Sequence, residues 1–296
     1  LMKQADTALY HAKQSGRGRF SYFTRSMSER AEQRLAMEHA LRRALHDDEL
    51  FLVYQPKFLV PGQTVFGAEA LVRWRQPDGT VVPPDQFIRL AEESGLINQI
   101  DDWVMLNACR QMRAWQEAGL AVVPVSVNVS LARLDVDRLL HGTRLALDAT
   151  GMAANMLEIE FTESQMFAQQ DLAKALLAQL KELGVSLAVD DFGTGYSSLS
   201  YLAAYEFDTL KIDRSFIHNL HDSSRHQAIV RAIIGLGNAL GYRLIAEGVE
   251  TLEDAQTLQD YGCFGMQGFC FSRPLAADDF AALLMSPSAP PDGRSG

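Results

Sequence analysis

Six short apolar runs, each ending on an acid or an amide, constrain the fold of this chain more than any other feature. The runs are Phe66–Glu69, Val125–Asn128, Leu157–Glu160, Leu187–Asp191, Leu210–Asp213 and Leu244–Glu247. Buried parallel strands have this apolar character, and in a β/α barrel the carboxyl end of each strand faces the active-site mouth. Acidic residues at these positions add nothing to core packing. The pattern therefore predicts an acidic ring around one cavity.

The spacing of the runs predicts a variant of that barrel. A length of 296 residues suits one barrel of about 250 residues with extensions, or two smaller domains. Only Pro61–Thr64 separates the first two predicted strands, 51–60 and 65–74. A parallel crossover needs about a dozen residues or more, so these strands should form an antiparallel hairpin. We therefore predict an α/β fold, a TIM-like (β/α)8 barrel whose first strand is antiparallel to the others.

Helices and strands are expected to alternate after the hairpin. The predicted strands lie near 123–128, 156–161, 186–191, 208–213, 243–248 and 264–271, and the helices near 85–94, 98–119, 131–150, 169–184, 196–205, 223–241, 251–261 and 276–285. A helix at about 27–46 should precede the barrel, with Ser26 and Glu29 as its capping box.

Composition and charge exclude several classes of function. The net charge is −10 and no Lys/Arg-rich face stands out, which argues against a nucleic-acid polymer as partner. No apolar run approaches the ~20 residues that cross a bilayer, so this segment should make no membrane contact. Cys109, Cys263 and Cys270 show no metal-ligand spacing and fit a reducing compartment.

The acidic ring requires positive charge. Unit charges of like sign 4 Å apart repel by about 4 kcal/mol at the effective dielectric of a protein surface. The candidate ligands are all oxygen donors, namely Glu69, Asn128, Glu160, Asp190, Asp191 and Glu247. Hard cations, Mg²⁺ or Mn²⁺, follow from this donor set. Any single acid could instead cap a helix or carry surface charge, but recurrence at several strand ends favours a site.

Several motifs together resemble the EAL domains, the cyclic di-GMP phosphodiesterases of bacteria, from about residue 30 to 284. They are Glu69–Trp74, Asn128, Glu160–Glu163, Asp190–Leu199, Lys211–Phe216, Ala246–Thr251, and Gln267–Gly268 with Ser272–Pro274. The resemblance implies a metal-dependent phosphodiesterase that hydrolyses cyclic di-GMP to linear 5′-pGpG, with two Mg²⁺ or Mn²⁺ ions activating the attacking water. Phe269-Cys270 departs from the aromatic pair, often Tyr-Tyr, that is usual there.

The resemblance also implies a role for each site residue. The implied metal ligands are Glu69, Asn128, Glu160, Asp190, Asp191 and Glu247, and the implied catalytic residues are Glu247, Lys211 and Glu69. The implied substrate contacts are Gln55, Leu71, Arg73, Asp213, Glu250 and Gln267. Glu163 would order the loop that follows Asp190. The identity of the general base stays open between Glu247 and no side chain at all.

Two other functions remain open at this stage. A catalytically silent cyclic di-GMP receptor would bind the same ligand without turning it over. Without the resemblance, the acids and Lys211 also suit a metal-dependent barrel enzyme in which Lys211 removes a proton beside a carboxylate.

The chain is expected to comprise four parts. Residues 1–23 resemble the end of a GGDEF (diguanylate cyclase) domain, 24–47 form a connecting helix, 48–285 form the EAL barrel and 286–296 a disordered tail. The expected parent is a bacterial signalling protein with GGDEF and sensory domains. A homodimer and a cytoplasmic location are expected as well, with membrane anchoring of the full-length parent through other segments left open.

Overall fold

The computed structural model describes residues 22, 24–131, 135–168, 170–194, 205–218, 220–221 and 223–285. They form two compact units. The smaller unit comprises the described residues up to Phe51 together with Trp74–Ile97, and the larger unit comprises Leu52–Arg73 and the described residues from Asn98 onwards. The predicted GGDEF-like segment, except residue 22, the predicted helix at 196–205, except Tyr205, and the predicted tail lie outside the described residues.

A single sheet contains all of the strands in the described part of the chain. They are β1 (Leu50–Leu59), β2 (Thr64–Arg75), β3 (Val81–Val82), β4 (Val125–Asn128), β5 (Leu157–Thr162), β6 (Ser186–Phe192), β7 (Thr209–Ile212), β8 (Arg243–Ala246) and β9 (Gly265–Met266). Their order is β1-β9-β8-β7-β6-β5-β4-β2-β3, and β1 also pairs with β2. Eight strands therefore close a barrel, and β3 is a two-residue addition to the end of β2.

The first barrel strand runs against all the others. β1 is antiparallel to β9, with Phe58 opposite Met266, whereas β9 is parallel to β8. Parallel pairing continues from β8 through β7, β6, β5 and β4 to β2. The predicted hairpin and the predicted barrel variant are confirmed.

Helices fill the connections between the strands. They are α1 (Arg25–Ala44), α2 (Pro84–Ser94), α3 (Ile97–Glu117), α4 (Val136–Thr150), α5 (Glu163–Ala168), α6 (Gln170–Leu183), α7 (Arg214–Ile217), α8 (Ser224–Leu240), α9 (Leu252–Asp260) and α10 (Ala277–Met285), with a 3₁₀ turn at Ala154–Met156. Side chains of Asp135, Ser223 and Thr251 accept backbone N–H bonds at the starts of α4, α8 and α9. Such caps fix where a helix begins. None of the helices in the described part of the chain is both long and apolar enough to span a membrane.

The smaller unit is organised around Trp74. Its ring meets Phe87 edge-on at 5.9 Å, and its indole N–H donates to Glu49 Oε2 at 2.9 Å. The predicted capping box of α1 is wrong. Thr24 is the N-cap residue and makes no side-chain cap bond, and Ser26 lies inside the helix with its hydroxyl 2.9 Å from that of Thr24.

Strand register brings the predicted acids to one end of the barrel. Glu69 lies opposite Ser126, Asn128 opposite Glu160, and Thr162 opposite Asp190. The parallel strands therefore deliver their carboxyl ends to the same mouth. The predicted strand 264–271 is reduced to two residues, since the chain turns at Gly268, where a Cβ would lie 2.1 Å from the carbonyl oxygen of Val249.

Candidate active site

The centre of the site is Lys211, a fully buried lysine on β7. Its Nζ lies 2.5 Å from Glu160 Oε2, 2.5 Å from Glu247 Oε1, 3.1 Å from Asp190 Oδ2 and 3.3 Å from Glu69 Oε2. Glu69, Glu160 and Asp190 lie on β2, β5 and β6, and Glu247 directly follows β8, so four different strands supply the cluster. The acidic ring inferred from the sequence is present, and a buried ammonium group lies within it.

Burial and mutual charge set the protonation of this cluster. Burial would lower the pKa of Lys211, but the surrounding carboxylates hold it well above the ordinary value. Burial raises the pKa of Glu247, and it raises the pKa of Asp190 to about 7 although Lys211 opposes the shift. Burial also acts to raise the pKa of Glu160, but Lys211 and Lys57 lower it to about 2. Lys211 is therefore a hydrogen-bond donor and a positive charge, and it is unsuited to remove protons as a base.

The ligand atoms of Asp190 and Asp191 lie close together, although side chains of neighbouring residues on a regular strand point to opposite faces. Pairing of β6 with β7 is irregular between Val189 and Phe192, and Asp191 has φ 52°, in the left-handed region. Such a distortion re-aims a side chain that regular alternation would send to the other face. One ligand atom from each of Asp190, Asp191 and Glu247 lies within 4.8 Å of the others, and the same holds for Glu69, Glu160 and Asp190.

Two amide side chains hold Glu69 between them. Asn128 Nδ2 donates to Glu69 Oε1 at 2.7 Å, and Gln267 Nε2 donates to Glu69 Oε2 at 2.7 Å. Gln267 also contacts Gln55 Oε1 at 3.1 Å, while its own buried Oε1 has no hydrogen-bond partner in the described part of the chain. An unsatisfied buried carbonyl oxygen is rare in proteins and marks a place that a ligand can occupy.

A second buried lysine, Lys57, lies beneath the acid cluster. Its Nζ donates to Ser126 Oγ at 2.8 Å, Glu158 Oε1 at 2.9 Å and Glu160 Oε1 at 2.8 Å. Sequence reasoning missed this layer. The available signal was the spacing of Glu158 and Glu160, which puts both side chains on the same face of one strand.

The loop after β6 is tied to the start of α5. Glu163 is buried, and its Oε2 accepts a hydrogen bond of 2.8 Å from the backbone N–H of Gly193. The structure describes this loop as far as Thr194, whose hydroxyl donates to the carbonyl of Asp191 at 2.9 Å. Glu163 therefore contacts the backbone of the loop that carries Asp191.

An open cavity of about 380 Å³ lies against the acid cluster. Its lining includes five of the six predicted substrate contacts, namely Gln55, Leu71, Asp213, Glu250 and Gln267. Arg73 is not among the lining residues, and its guanidinium donates to the carbonyl of Val72 at 2.9 Å. Arg214 and the half-exposed Phe269 also line the cavity, although the sequence analysis assigned neither a role.

The donor set fits divalent cations. The groups of the site that can ligate a cation offer carboxylate or amide oxygens, and hard cations prefer such ligands. Six carboxylates (Glu69, Glu158, Glu160, Asp190, Asp191 and Glu247) surround only two described lysines, Lys57 and Lys211, so negative charge is in excess even when both ammonium groups are counted. Burial raises the pKa of Asp190, Asp191 and Glu247, and the neighbouring carboxylates raise it further.

The protein is therefore a β/α-barrel protein of the variant with one antiparallel strand, and a cluster of oxygen donors lies at the mouth of its barrel. Within that class, residues 38–274 match the family model described as "EAL domain". The chain belongs to the EAL domain family.

Similar proteins extend the comparison. The chain is 44% identical over 294 residues to "Cyclic di-GMP phosphodiesterase NbdA" of Pseudomonas aeruginosa, covering 98% of this chain and 38% of that protein. It is 43% identical over 284 residues to "Bifunctional diguanylate cyclase/cyclic di-GMP phosphodiesterase MucR" of the same organism, covering 96% and 42%. The chain thus spans about two fifths of the length of these relatives.

A solved structure shares the fold. The structure described as "PaMucR Phosphodiesterase, c-di-GMP complex" superposes with a TM-score of 0.79 at 42% identity, covering 83% of this chain and 99% of that chain.

Proposed function

We propose that this protein is a metal-dependent phosphodiesterase that hydrolyses cyclic di-GMP to linear 5′-pGpG. The observation that carries the proposal is the cluster of Glu69, Glu160, Asp190 and Glu247 around Lys211 beside an open cavity. The names of the relatives NbdA and MucR support the substrate.

The cation sites follow from the two groups of acids. Glu69, Glu160 and Asp190 would hold one Mg²⁺ or Mn²⁺ ion with Asn128, and Asp190, Asp191 and Glu247 would hold a second. Asp190 belongs to both groups, which favours two ions over one. Bound cations would supply polarisation of the phosphodiester and activation of a water molecule.

The protein's own residues would then position the substrate and manage charge. Lys211, held protonated by its carboxylate neighbours, donates hydrogen bonds and stabilises the negative charge that develops at the phosphate. Glu247, whose pKa is raised by burial, would receive a proton from the attacking water. Water adds to phosphorus and the 3′ oxygen leaves with a proton, which gives pGpG.

The cavity residues would bind the two nucleotides. Gln55, Gln267, Asp213 and Glu250 offer polar side chains to guanine or ribose, and Leu71 offers an apolar wall. Arg214 would add positive charge for a phosphate, a task that the resemblance gives to Arg73.

The wider proposal concerns the whole protein. It includes a homodimer, a cytoplasmic site of action, a GGDEF domain whose C-terminal end is residues 1–23, and sensory domains in the full-length chain. The boundaries at 24–47, 48–285 and 286–296 belong to it as well. The GGDEF domain is supported by the name of the relative MucR, which combines a cyclase with a phosphodiesterase.

Turnover by ligand variants tests the proposal. Glu69→Gln and Asp190→Asn keep side-chain volume and remove a charged oxygen donor, so each should lower Mn²⁺-dependent hydrolysis more than about a hundredfold. Asp260→Asn, at an exposed acid on α9, is the matched control and should keep the wild-type rate. Substantial residual turnover in either site variant would remove that residue from the ligand set.

A further inference from the structure

An open cavity of about 350 Å³ lies at the end of the barrel opposite the acid cluster. Arg243 and Leu244 line it at the start of β8, Gly265 at the start of β9 and Pro124 directly before β4. Leu59 lines it from the last position of the antiparallel β1. The cavity is therefore separate from the candidate active site and is built by the other ends of the same strands.

Two exposed apolar side chains line this cavity. Leu59 is 44% exposed and Phe264 is 49% exposed. They lie side by side, because Leu59 pairs with Gly265, the residue that follows Phe264. A single exposed apolar residue is ordinary, but apolar side chains that line a concave surface together are typical of ligand sites. This end of the barrel therefore offers an apolar surface to a small molecule.

The polar side chains of the cavity are one arginine and one amide. The guanidinium carbon of the exposed Arg243 lies 5.8 Å from the centre of the Phe66 ring. Arg243 forms no salt bridge within the described part of the chain, and no described Asp or Glu lines the cavity. The amide nitrogen of Asn238 lies 3.5 Å from the place that a Cβ would take on Gly262. An unpaired cation thus borders an apolar cavity in a chain whose net charge is −10.

We propose that this cavity binds a small amphipathic anion, an aromatic ring system that carries one carboxylate. The ring would pack against Leu59, Phe66 and Phe264, since removal of apolar surface from water favours such contact. The carboxylate would pair with Arg243, whose planar guanidinium can bind both carboxylate oxygens. Asn238 Nδ2 can donate a further hydrogen bond. The inference concerns a second site and does not depend on the proposed function.

The size and charge of the cavity limit the ligand. A cavity of about 150 Å³ holds benzene, so one of about 350 Å³ admits two fused rings with a carboxylate. Arg243 would repel a cation, and a neutral ring would leave the arginine unpaired. The naphthoate ion has the size and the charge that these groups accept, and it serves as the probe.

Binding of 2-naphthoate tests the proposal. Its dissociation constant is measured by equilibrium dialysis in EDTA, so that no cation in the acid cluster can take the carboxylate. Wild type should bind 2-naphthoate about tenfold more tightly than the neutral 2-naphthamide, the scale of one hydrogen bond to a charged group. Arg243→Gln should abolish this preference. The comparison of acid and amide in wild type needs no variant, so it decides even if Arg243→Gln fails to fold.

Arg231→Gln is the matched control for Arg243→Gln. Arg231 is also an exposed arginine above an aromatic ring, that of Tyr261 at 4.2 Å. It lines neither this cavity nor the one at the mouth of the barrel. Arg231→Gln should therefore bind 2-naphthoate as wild type does.

Two further variants identify where the probe binds. Phe264→Ala removes a half-exposed apolar side chain and should weaken binding of the acid and the amide alike, by severalfold. Arg214→Gln changes the arginine of the mouth cavity and should leave binding unchanged. Loss of binding in Arg214→Gln, with binding kept in Arg243→Gln, would place the probe at the mouth and the inference would be wrong.

Two other results would overturn the inference as well. One is equal affinity of wild type for the acid and the amide, or no binding of 2-naphthoate at millimolar concentration. The other concerns a second copy of the chain as the occupant. Sedimentation of wild type beside Phe264→Ala tests this, because a dimer that dissociates in the variant would mean that the partner copy covers the cavity.

Discussion

The backbone N–H of Gly193 donates a hydrogen bond of 2.8 Å to Glu163 Oε2. Gly193 has φ +97°, and a Cβ there would lie 2.8 Å from the ring of Phe216, so the loop passes closely over its surroundings. The carboxylate of Glu163 therefore holds the segment that begins with Asp190 and Asp191 in a backbone conformation that suits glycine.

Glu163→Ala should therefore impair catalysis, although Glu163 acts through the loop and not through a contact with the substrate. We expect the turnover number to fall by about ten- to hundredfold, because Asp191 loses its support. Steady-state kinetics of the variant, together with a separate measurement of its melting temperature, would show this. Ser164→Ala, at the exposed neighbouring position, is the control and should match wild type. A variant whose melting temperature falls while its turnover number stays intact would refute the loop-ordering role.

Lys211→Met should slow the chemical step without weakening substrate binding. Lys211 contacts four carboxylates, and we assign it to stabilising charge at the reacting phosphate. Its loss should lower kcat by about 10²- to 10³-fold while KM for cyclic di-GMP changes little. Lys181→Met removes a lysine that pairs with Asp208 outside the candidate site and should keep normal kinetics. A large rise in KM with unchanged kcat would instead make Lys211 a phosphate anchor.

Arg73 and Arg214 are alternative candidates for the residue that contacts the phosphate of the substrate. Arg214 lines the cavity, and Arg73 does not. Loss of a charged hydrogen bond to the substrate costs about 1.5 to 3 kcal/mol, so Arg214→Gln should raise KM by about ten- to hundredfold. Arg73→Gln should raise KM less than Arg214→Gln does, because Arg73 does not line the cavity. The reverse order would restore the role that the family resemblance gave to Arg73.

Thiol reactivity tests the packing of the barrel. Burial raises the pKa of Cys109 and Cys263 to about 12, so at pH 8 only about one such thiol in 10⁴ is ionised. Cys270 is half-buried, and burial raises its pKa as well. In native protein, titration with a chromogenic disulfide should show one slowly reacting thiol, absent in Cys270→Ser, and all three after denaturation. Rapid reaction of more than one thiol would contradict the packing.

The barrel was predictable because its signals are local. Apolar runs that end on acids identify buried strands and their mouth, and the short connection at Pro61–Thr64 forces the antiparallel first strand. Parallel pairing brings Glu69, Glu160 and Asp190 to the same end of the barrel.

The unpredicted features depend on contacts between distant parts of the chain. Lys57 lies in the middle of a strand, where sequence alone cannot show that it meets Glu158, which is 101 residues away. Arg214 reaches the cavity from α7, a four-residue helix too short for a periodic pattern. The early end of β9 depends on the approach of Gly268 to Val249 across the fold.

The most direct test of the central claim is mass analysis of the nucleotide after incubation of the purified protein with cyclic di-GMP in water enriched in heavy oxygen. The reaction contains Mg²⁺ or Mn²⁺, with a matched sample in EDTA. The account predicts pGpG that carries one heavy oxygen atom in its phosphate, formed only in the metal-containing samples. Unchanged cyclic di-GMP, together with measurable binding of that nucleotide, would contradict hydrolysis and make the protein a receptor.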